Sequence, residues 1–497
     1  MQDIGRKMAR GAAWMMSVQV SARVLGLINT MILARLLLPE DFGLVAVAVS
    51  VLGLLEIMGA FNFDLALIQN QQAERRHYDT AWTLNILYGL FTAVIMAALA
   101  IPVARFFGDP RVEGVMYVFA ASPLVSSFKN IGTVAFQKEL NFGREVVFVL
   151  VGKVVSVVVT ATLAYVYRSY WALAIGSLCS ACIGVILSYL MHPFRPRFAL
   201  TAWRELMRFS GWMLFSNILI YVGNRGYDFV IGRIAGTQAL GLYTVSHEIA
   251  NLPTTEIVWP ATKAIFPGFS KMANDRGRLK EVFLRIAALV AMITIPAGAG
   301  VAVLAEPIVR LVLGVKWLDA VPLIQILAVF GVLRALHAGS GAVYLALGKT
   351  HIMAWVAMPN VIIGLPLAMF LLENHGLQGA AFAVVTGGAI ALTMGLAIAM
   401  RILDLGLAEL GGCFWRPLLA AGVMVVVVHQ LKAWAGGIAE TPALVGYTLL
   451  MVGTGAVVYA VAIVALWLSA GRPSGAESTV AGRLKAFARS GKTDPAA

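Results

Sequence analysis

The chain has 497 residues, 60% of them apolar and only 13% charged, and its 38 Lys and Arg exceed its 25 Asp and Glu to leave a formal net charge of +13. Soluble domains carry about 25% charged residues, so a water-facing surface of ordinary kind cannot be made from this composition. Soluble enzymes, fibres and disordered chains are thereby excluded, and so is a β-barrel, because the apolar stretches are continuous rather than alternating.

At roughly 20 apolar residues per crossing, the chain divides into fourteen predicted spans. They run 12–34, 42–62, 81–104, 114–136, 146–167, 171–192, 210–234, 240–261, 283–305, 318–345, 353–373, 376–401, 414–434 and 443–468. The first is polar for a span, with Ser17, Gln19, Ser21, Arg23 and Asn29, as the wall of a wet cavity would be. The second carries Glu56, the fourth Lys129 and the fifth Lys153. Cys179 and Cys182 in the sixth have no His or acidic neighbour, so the C-x-x-C reads as small-residue helix packing rather than a redox or metal site. The basic, amphipathic connections 198–209 and 269–286 read as helices lying on anionic lipid. Span seven holds Asn217, Asn224, Arg225 and Asp228, span eight Glu248 and Glu256, and span ten Arg334 one turn before Ala338-Gly339-Ser340. Prolines at 123, 253, 260, 296, 359 and 366 interrupt four spans and supply bending points. Beyond 470 the chain is small, polar and basic.

With the N-terminus inside, 25 of the 38 basic residues fall on the cytoplasmic side, 8 on the other, and 5 within spans. That bias supports an even number of crossings with both termini cytoplasmic. It also explains the positive charge without nucleic acid.

A shift of 198 residues lays the start of span seven on the start of span one without a gap. Trp14-Met15 falls on Trp212-Met213, Arg35 on Arg233, Gly43-Leu44 on Gly241-Leu242 and Val47 on Val245. Six spans, an even number, bring both copies into the membrane in the same direction. The expected architecture is therefore two six-helix lobes, residues 1–198 and 199–405, related by a parallel pseudo-twofold repeat. Two extra helices (406–470) and a basic cytoplasmic tail (471–497) follow.

An ionisable group in mid-membrane costs several kcal/mol unless it faces water or a partner. Arg23 and Arg334 are deep and lack an acid nearby in sequence, which favours a cavity role. Arg225 and Asp228, three apart on one helix face, either neutralise each other or serve the cavity. Lys129 and Lys153 either snorkel to the cytoplasmic surface or join the cavity cations. Glu56, Asp228 and Glu248 are candidate cavity acids, suited to a coupling proton or sodium ion or to pairing with those arginines. Enzyme motifs fail: Gly348-Lys349-Thr350 resembles the end of a phosphate loop, but Val343 stands where its first glycine is needed. No metal motif and no cofactor are expected.

Three segments, ARLLLPEDFGLVAVA (34–48), FQKELNFGR (136–144) and YDFVIGRIAGTQALGLYTVSHEIANLP (227–253), together with Phe266-Pro267, resemble the polysaccharide-type, WzxC-like flippases. These belong to the multidrug/oligosaccharidyl-lipid/polysaccharide (MOP) exporter superfamily, and the resemblance covers roughly residues 5–470. It implies transport of undecaprenyl-pyrophosphate-linked oligosaccharide across the bacterial inner membrane, for O-antigen or exopolysaccharide synthesis, by alternating access. The partners it implies are the lipid-linked substrate, membrane lipid, and polysaccharide polymerase and chain-length machinery. On that reading Arg23, Arg225 and Arg334 contact the pyrophosphate, because guanidinium binds phosphate oxygens bidentately. Trp14, Trp212 and Tyr221 are candidates to meet the glycan. The rival readings are a drug-type exporter of the same superfamily, against which the five intramembrane bases argue, and a membrane-embedded glycan polymerase, against which the short outward loops argue.

Overall fold

A computed structural model of the chain describes residues 21–58, 63, 67, 73–138, 142–203, 211–272, 275–349, 351–435, 441–472 and 477–478. Its long helices, in chain order, are α1 (21–36), α2 (Pro39–Met58), α3 (Arg75–Phe107), α4 (Arg111–Ser127), α5 (Phe142–Tyr167) and α6 (Trp171–Met191). Then come α7 (Gly211–Lys271), α8 (Arg276–Val303), α9 (Val321–Ala346), α10 (His351–Leu403), α11 (Leu407–Ala435) and α12 (Thr441–Ser469). No strand occurs among the described residues. Lipid offers backbone groups no hydrogen bonds, and a helix satisfies them within itself. The protein is thus an all-α polytopic membrane protein with about fourteen spans.

Among the described residues twelve long helices carry those spans, because two helices carry two each. At 1.5 Å per residue, the 53 residues of α10 extend to about 80 Å, well over twice a bilayer core of about 30 Å. Gly376 breaks it with φ 61° and ψ −154°, a conformation open essentially to glycine alone. A π-helical turn at Asn360–Gly364 follows Pro359, whose ring cannot continue an α-helical ladder. In α7 the break is Gly236, with φ 84° and ψ 176°. Gly236 falls between two predicted spans, and Gly376 is the first residue of the predicted span 376–401.

Local signals set other helix ends. The Glu74 amide donates to His77 Nδ1 at 3.0 Å to start α3, and Gly108 ends it in the left-handed region. Asp275 accepts from the Arg278 amide at 3.0 Å and starts α8. The connection 269–286 is therefore not a separate surface helix: residues 276–286 are the first turns of α8. Of the connection 198–209, residues 198–202 form no helix and Trp203 is helical, while 204–209 lie outside the described residues. Residues 193–200 form no helix, and the amides of Arg197, Ala199 and Ala202 donate to Asp79 Oδ1, Thr83 Oγ1 and Thr80 Oγ1 on the first turns of α3. Buried polar side chains on α3 claim that backbone before it can coil.

The chain forms two compact units, residues 1–245 with 312–316 and residues 246–311 with 317–497. In the first, α3 packs on α4, α4 on α6 and α5 on α6. In the second, α9 packs on α8 and α10, α8 on α11, and α11 on α12. Many buried positions are Ala or small polar residues, as expected where close packing rather than expulsion of water joins helices. The tail returns at Glu477, whose carboxylate meets Arg416 at 2.9 Å with both side chains 10% exposed.

Candidate functional site

In the first unit, α1 carries Arg23 half-buried, and α5 carries Lys153 exposed. A Cβ built on Gly26, one turn beyond Arg23, would lie 4.0 Å from Lys153 Cε. Lys153, distant in sequence, thus reaches α1 one turn from Arg23. Arg225 lies on α7 with its side chain 45% exposed, and its Nη1 donates to Asp228 Oδ2 at 3.2 Å. Asp228 is buried and also accepts from Ser50 Oγ of α2 at 2.9 Å, while the Tyr221 hydroxyl donates to the Ser50 carbonyl. Burial of that carboxylate is offset by these two donors, and the network ties α7 to α2. Trp14 lies outside the described residues, as do the side chains of Trp212, Asn217 and Glu256.

Arg334 is exposed on α9 of the second unit, and Glu248 is half-buried on the later part of α7. The same unit holds an apolar recess of about 390 Å³ between α8, α11 and α12, lined by residues such as Leu304, Met424, Met451 and Tyr459.

Glu56 and Lys129, far apart in sequence, line one cavity of about 250 Å³ between α2, α3, α4 and the turn 130–134. Asn85, Tyr88, Ser126, Ser127, Asn130 and Thr133 supply the rest of its polar wall. Sequence reasoning missed these six. The signals available were an amide inside span three and the run Ser126-Ser127 just before Lys129.

Where α2 begins, it crosses α7 at backbone contact. A Cβ on Gly43 would stand 1.7 Å from the Thr237 carbonyl oxygen, and one on Gly241 would stand 1.8 Å from that of Pro39. Pro39 and Thr237, like Gly43 and Gly241, are separated by the 198-residue shift. Each member of one pair therefore contacts the counterpart of the other, the pattern of an isologous contact around a twofold axis. Beside it Arg111 bonds Glu40 and both oxygens of Asp109, and Thr237 Oγ1 donates to Asp109 at 3.2 Å. Burial alone would raise the Asp109 carboxyl, but the donors from Arg111 and Thr237 hold it below its usual value.

The family described as "Polysaccharide biosynthesis protein" matches residues 32–322, more than half of the chain. The chain belongs to that family. Among curated relatives, it is 24% identical over 379 residues to the lipopolysaccharide biosynthesis protein WzxC of Escherichia coli (strain K12), covering 73% of this chain and 76% of that one. It is 25% identical over 478 residues to the succinoglycan biosynthesis transport protein ExoT of Rhizobium meliloti (strain 1021), covering 92% and 93%. Among solved structures, the lipid II flippase MurJ in an inward closed conformation superimposes with a TM-score of 0.74 at 13% identity, over 92% of this chain and all of that one. At that identity the likeness is one of fold, and it extends across nearly the whole polysaccharide-family chain.

Proposed function

We propose that this protein is a flippase for lipid-linked oligosaccharides of the MOP exporter superfamily, working by alternating access in the bacterial inner membrane with both termini cytoplasmic. It is a carrier rather than an enzyme. The observation that carries the reading is the approach of Lys153 of α5 to α1 one turn from Arg23, in a chain whose relatives along most of its length are named for lipopolysaccharide and succinoglycan biosynthesis. Like charges gathered within the membrane call for an anion, and the anion of a polyprenyl-linked glycan is its pyrophosphate. Arg225, half-exposed beside Asp228, extends the cationic provision of the first unit, and the second unit carries its own exposed arginine, Arg334 on α9. The apolar recess beside α12 suits the isoprenoid chain, which stays in lipid while the head crosses. Asp228 is committed to its ion pair and Glu56 to the polar cavity, so we assign a coupling proton or sodium ion to Glu248. The carried unit then passes to polymerase and chain-length machinery.

Arg23→Ala and Arg334→Ala should each abolish polysaccharide output and flipping in proteoliposomes, while insertion and abundance stay unchanged. Normal output from both variants overturns the reading.

A further inference from the structure

Eight of the twelve residues that line the 250 Å³ cavity of the first unit are polar where spans are otherwise apolar, and these eight fall into two sets. One set is committed to the fold. The Tyr88 hydroxyl donates to the Leu55 carbonyl, Ser127 Oγ to that of Leu124, and Thr133 Oγ1 to that of Asn130. Asn130 itself accepts from the Gly132 amide and donates to the carbonyls of His192 and Phe194. These bonds hold the wall in place and fix the Tyr88 ring as a flat apolar side. The other set is uncommitted: the side chains of Glu56, Asn85 and Ser126 make no hydrogen bond or ion pair with any described residue. Lys129 completes the rim, its Nζ 4.7 Å from the centre of the Phe148 ring.

The chemistry of this wall selects its ligand. A phosphate would meet the Glu56 carboxylate. A metal ion would meet the Lys129 ammonium, and no group of three His, Cys, Asp or Glu stands ready to hold one among the described residues. An apolar chain would leave carboxylate, amide and hydroxyl unsatisfied, at a cost of about 1–3 kcal/mol for each. A ring bearing several hydroxyls fits all of it. Its O–H groups donate to the carboxylate and the Asn85 carbonyl, its oxygens accept from the amide, Ser126 and the ammonium, and its C–H face lies on Tyr88.

We propose that this cavity is a saccharide subsite that receives one sugar ring of the lipid-linked substrate, separate from the arginines that meet the pyrophosphate. The proposal rests on the flippase reading. On the orientation read from Lys and Arg, the cavity lies toward the cytoplasmic end of its helices, on the side where the glycan arrives. A carrier with such a subsite distinguishes a glycosylated lipid from the bare carrier lipid.

The test is equilibrium binding to the purified full-length protein of bare undecaprenyl pyrophosphate and of the same lipid carrying glucose, galactose or N-acetylglucosamine. Wild type should bind at least one sugar-bearing lipid roughly ten- to a hundredfold more tightly than the bare lipid, the yield of two or so net hydrogen bonds. Ser126→Phe, which fills the cavity, and the smaller change Asn85→Ala/Ser126→Ala should reduce that lipid to the affinity of the bare one. Bare-lipid binding and the melting temperature should stay unchanged. Retention of the preference in the double variant, or equal binding of all four lipids by wild type, overturns the subsite and leaves the flippase reading standing. Wild-type failure to bind even the bare lipid overturns both.

Discussion

Adding one methyl group at the crossing of α2 and α7 should force the two helices apart. In Gly43→Ala the new carbon falls 1.7 Å from the Thr237 carbonyl oxygen and 2.6 Å from its carbon. An ordinary C···O contact is about 3.3 Å, so the helices must separate by roughly 1.5 Å. No side-chain rotation relieves the clash, because both partners are backbone. Overpacking of this kind costs about 1–3 kcal/mol. If the crossing opens and closes during transport, that cost shifts its equilibrium about 5- to 150-fold toward the open form. Thr237 is only 7% exposed, so a cysteine there reports opening. The assay is the rate of thiol labelling of Thr237→Cys after replacement of Cys179, Cys182 and Cys413, the three native free cysteines. Gly43→Ala and Gly241→Ala should each raise the rate within that range. The double variant should add little, since one separation accommodates both methyl groups. Gly422→Ala, with nothing within 4 Å of its new carbon, serves as the control and should change nothing. Unchanged labelling in both single variants would show that this contact is not made.

Two further outcomes concern charge. Arg225→Ala leaves the buried Asp228 carboxylate with Ser50 as its remaining donor among the described residues and should cost about 1–3 kcal/mol of stability. Arg225→Ala/Asp228→Asn should melt higher than Arg225→Ala alone, and a lower melting point for the double variant would refute the pairing. Outside the spans, the hydrogen bond from Lys432, followed by that from Arg310, holds the Glu306 carboxyl below its ordinary 4.5 despite some desolvation. A depressed folded-state pKa stabilises above the unfolded value and is lost as pH falls through the folded one. The melting-temperature gap between wild type and Glu306→Gln should therefore be constant from pH 7 to about 5 and close below pH 4.5. The pair is largely exposed, so the gap corresponds to no more than about 1 kcal/mol. A gap that widens with acid would contradict the assignment.

The membrane class, the spans and the places where α7 and α10 break were legible because each depends on residues near one another in the chain. A run of apolar side chains, a glycine between two such runs and a carboxylate three residues before an amide act locally. The Arg225–Asp228 pair was legible for the same reason. The amphipathic pattern at 269–286 was legible but misread: it belongs to the first turns of a spanning helix, since Asp275 caps that helix directly. The non-helical course of residues 193–200 was not legible, because it depends on Asp79, Thr80 and Thr83, more than a hundred positions earlier.

What the sequence determined by itself is a chain too apolar for water, folded into helices because lipid leaves the backbone no other partner, and doubled at an interval of 198 residues. Tertiary structure alone decided which residues meet. It placed Ser50 against Asp228, set Glu56 in one hollow with Asn85 and Ser126, and turned two repeated glycines into one another's neighbours. Helical periodicity tells which face of a span a residue occupies. Which other face lies opposite is settled by how closely whole helices pack, and that is not written in any short stretch of the chain.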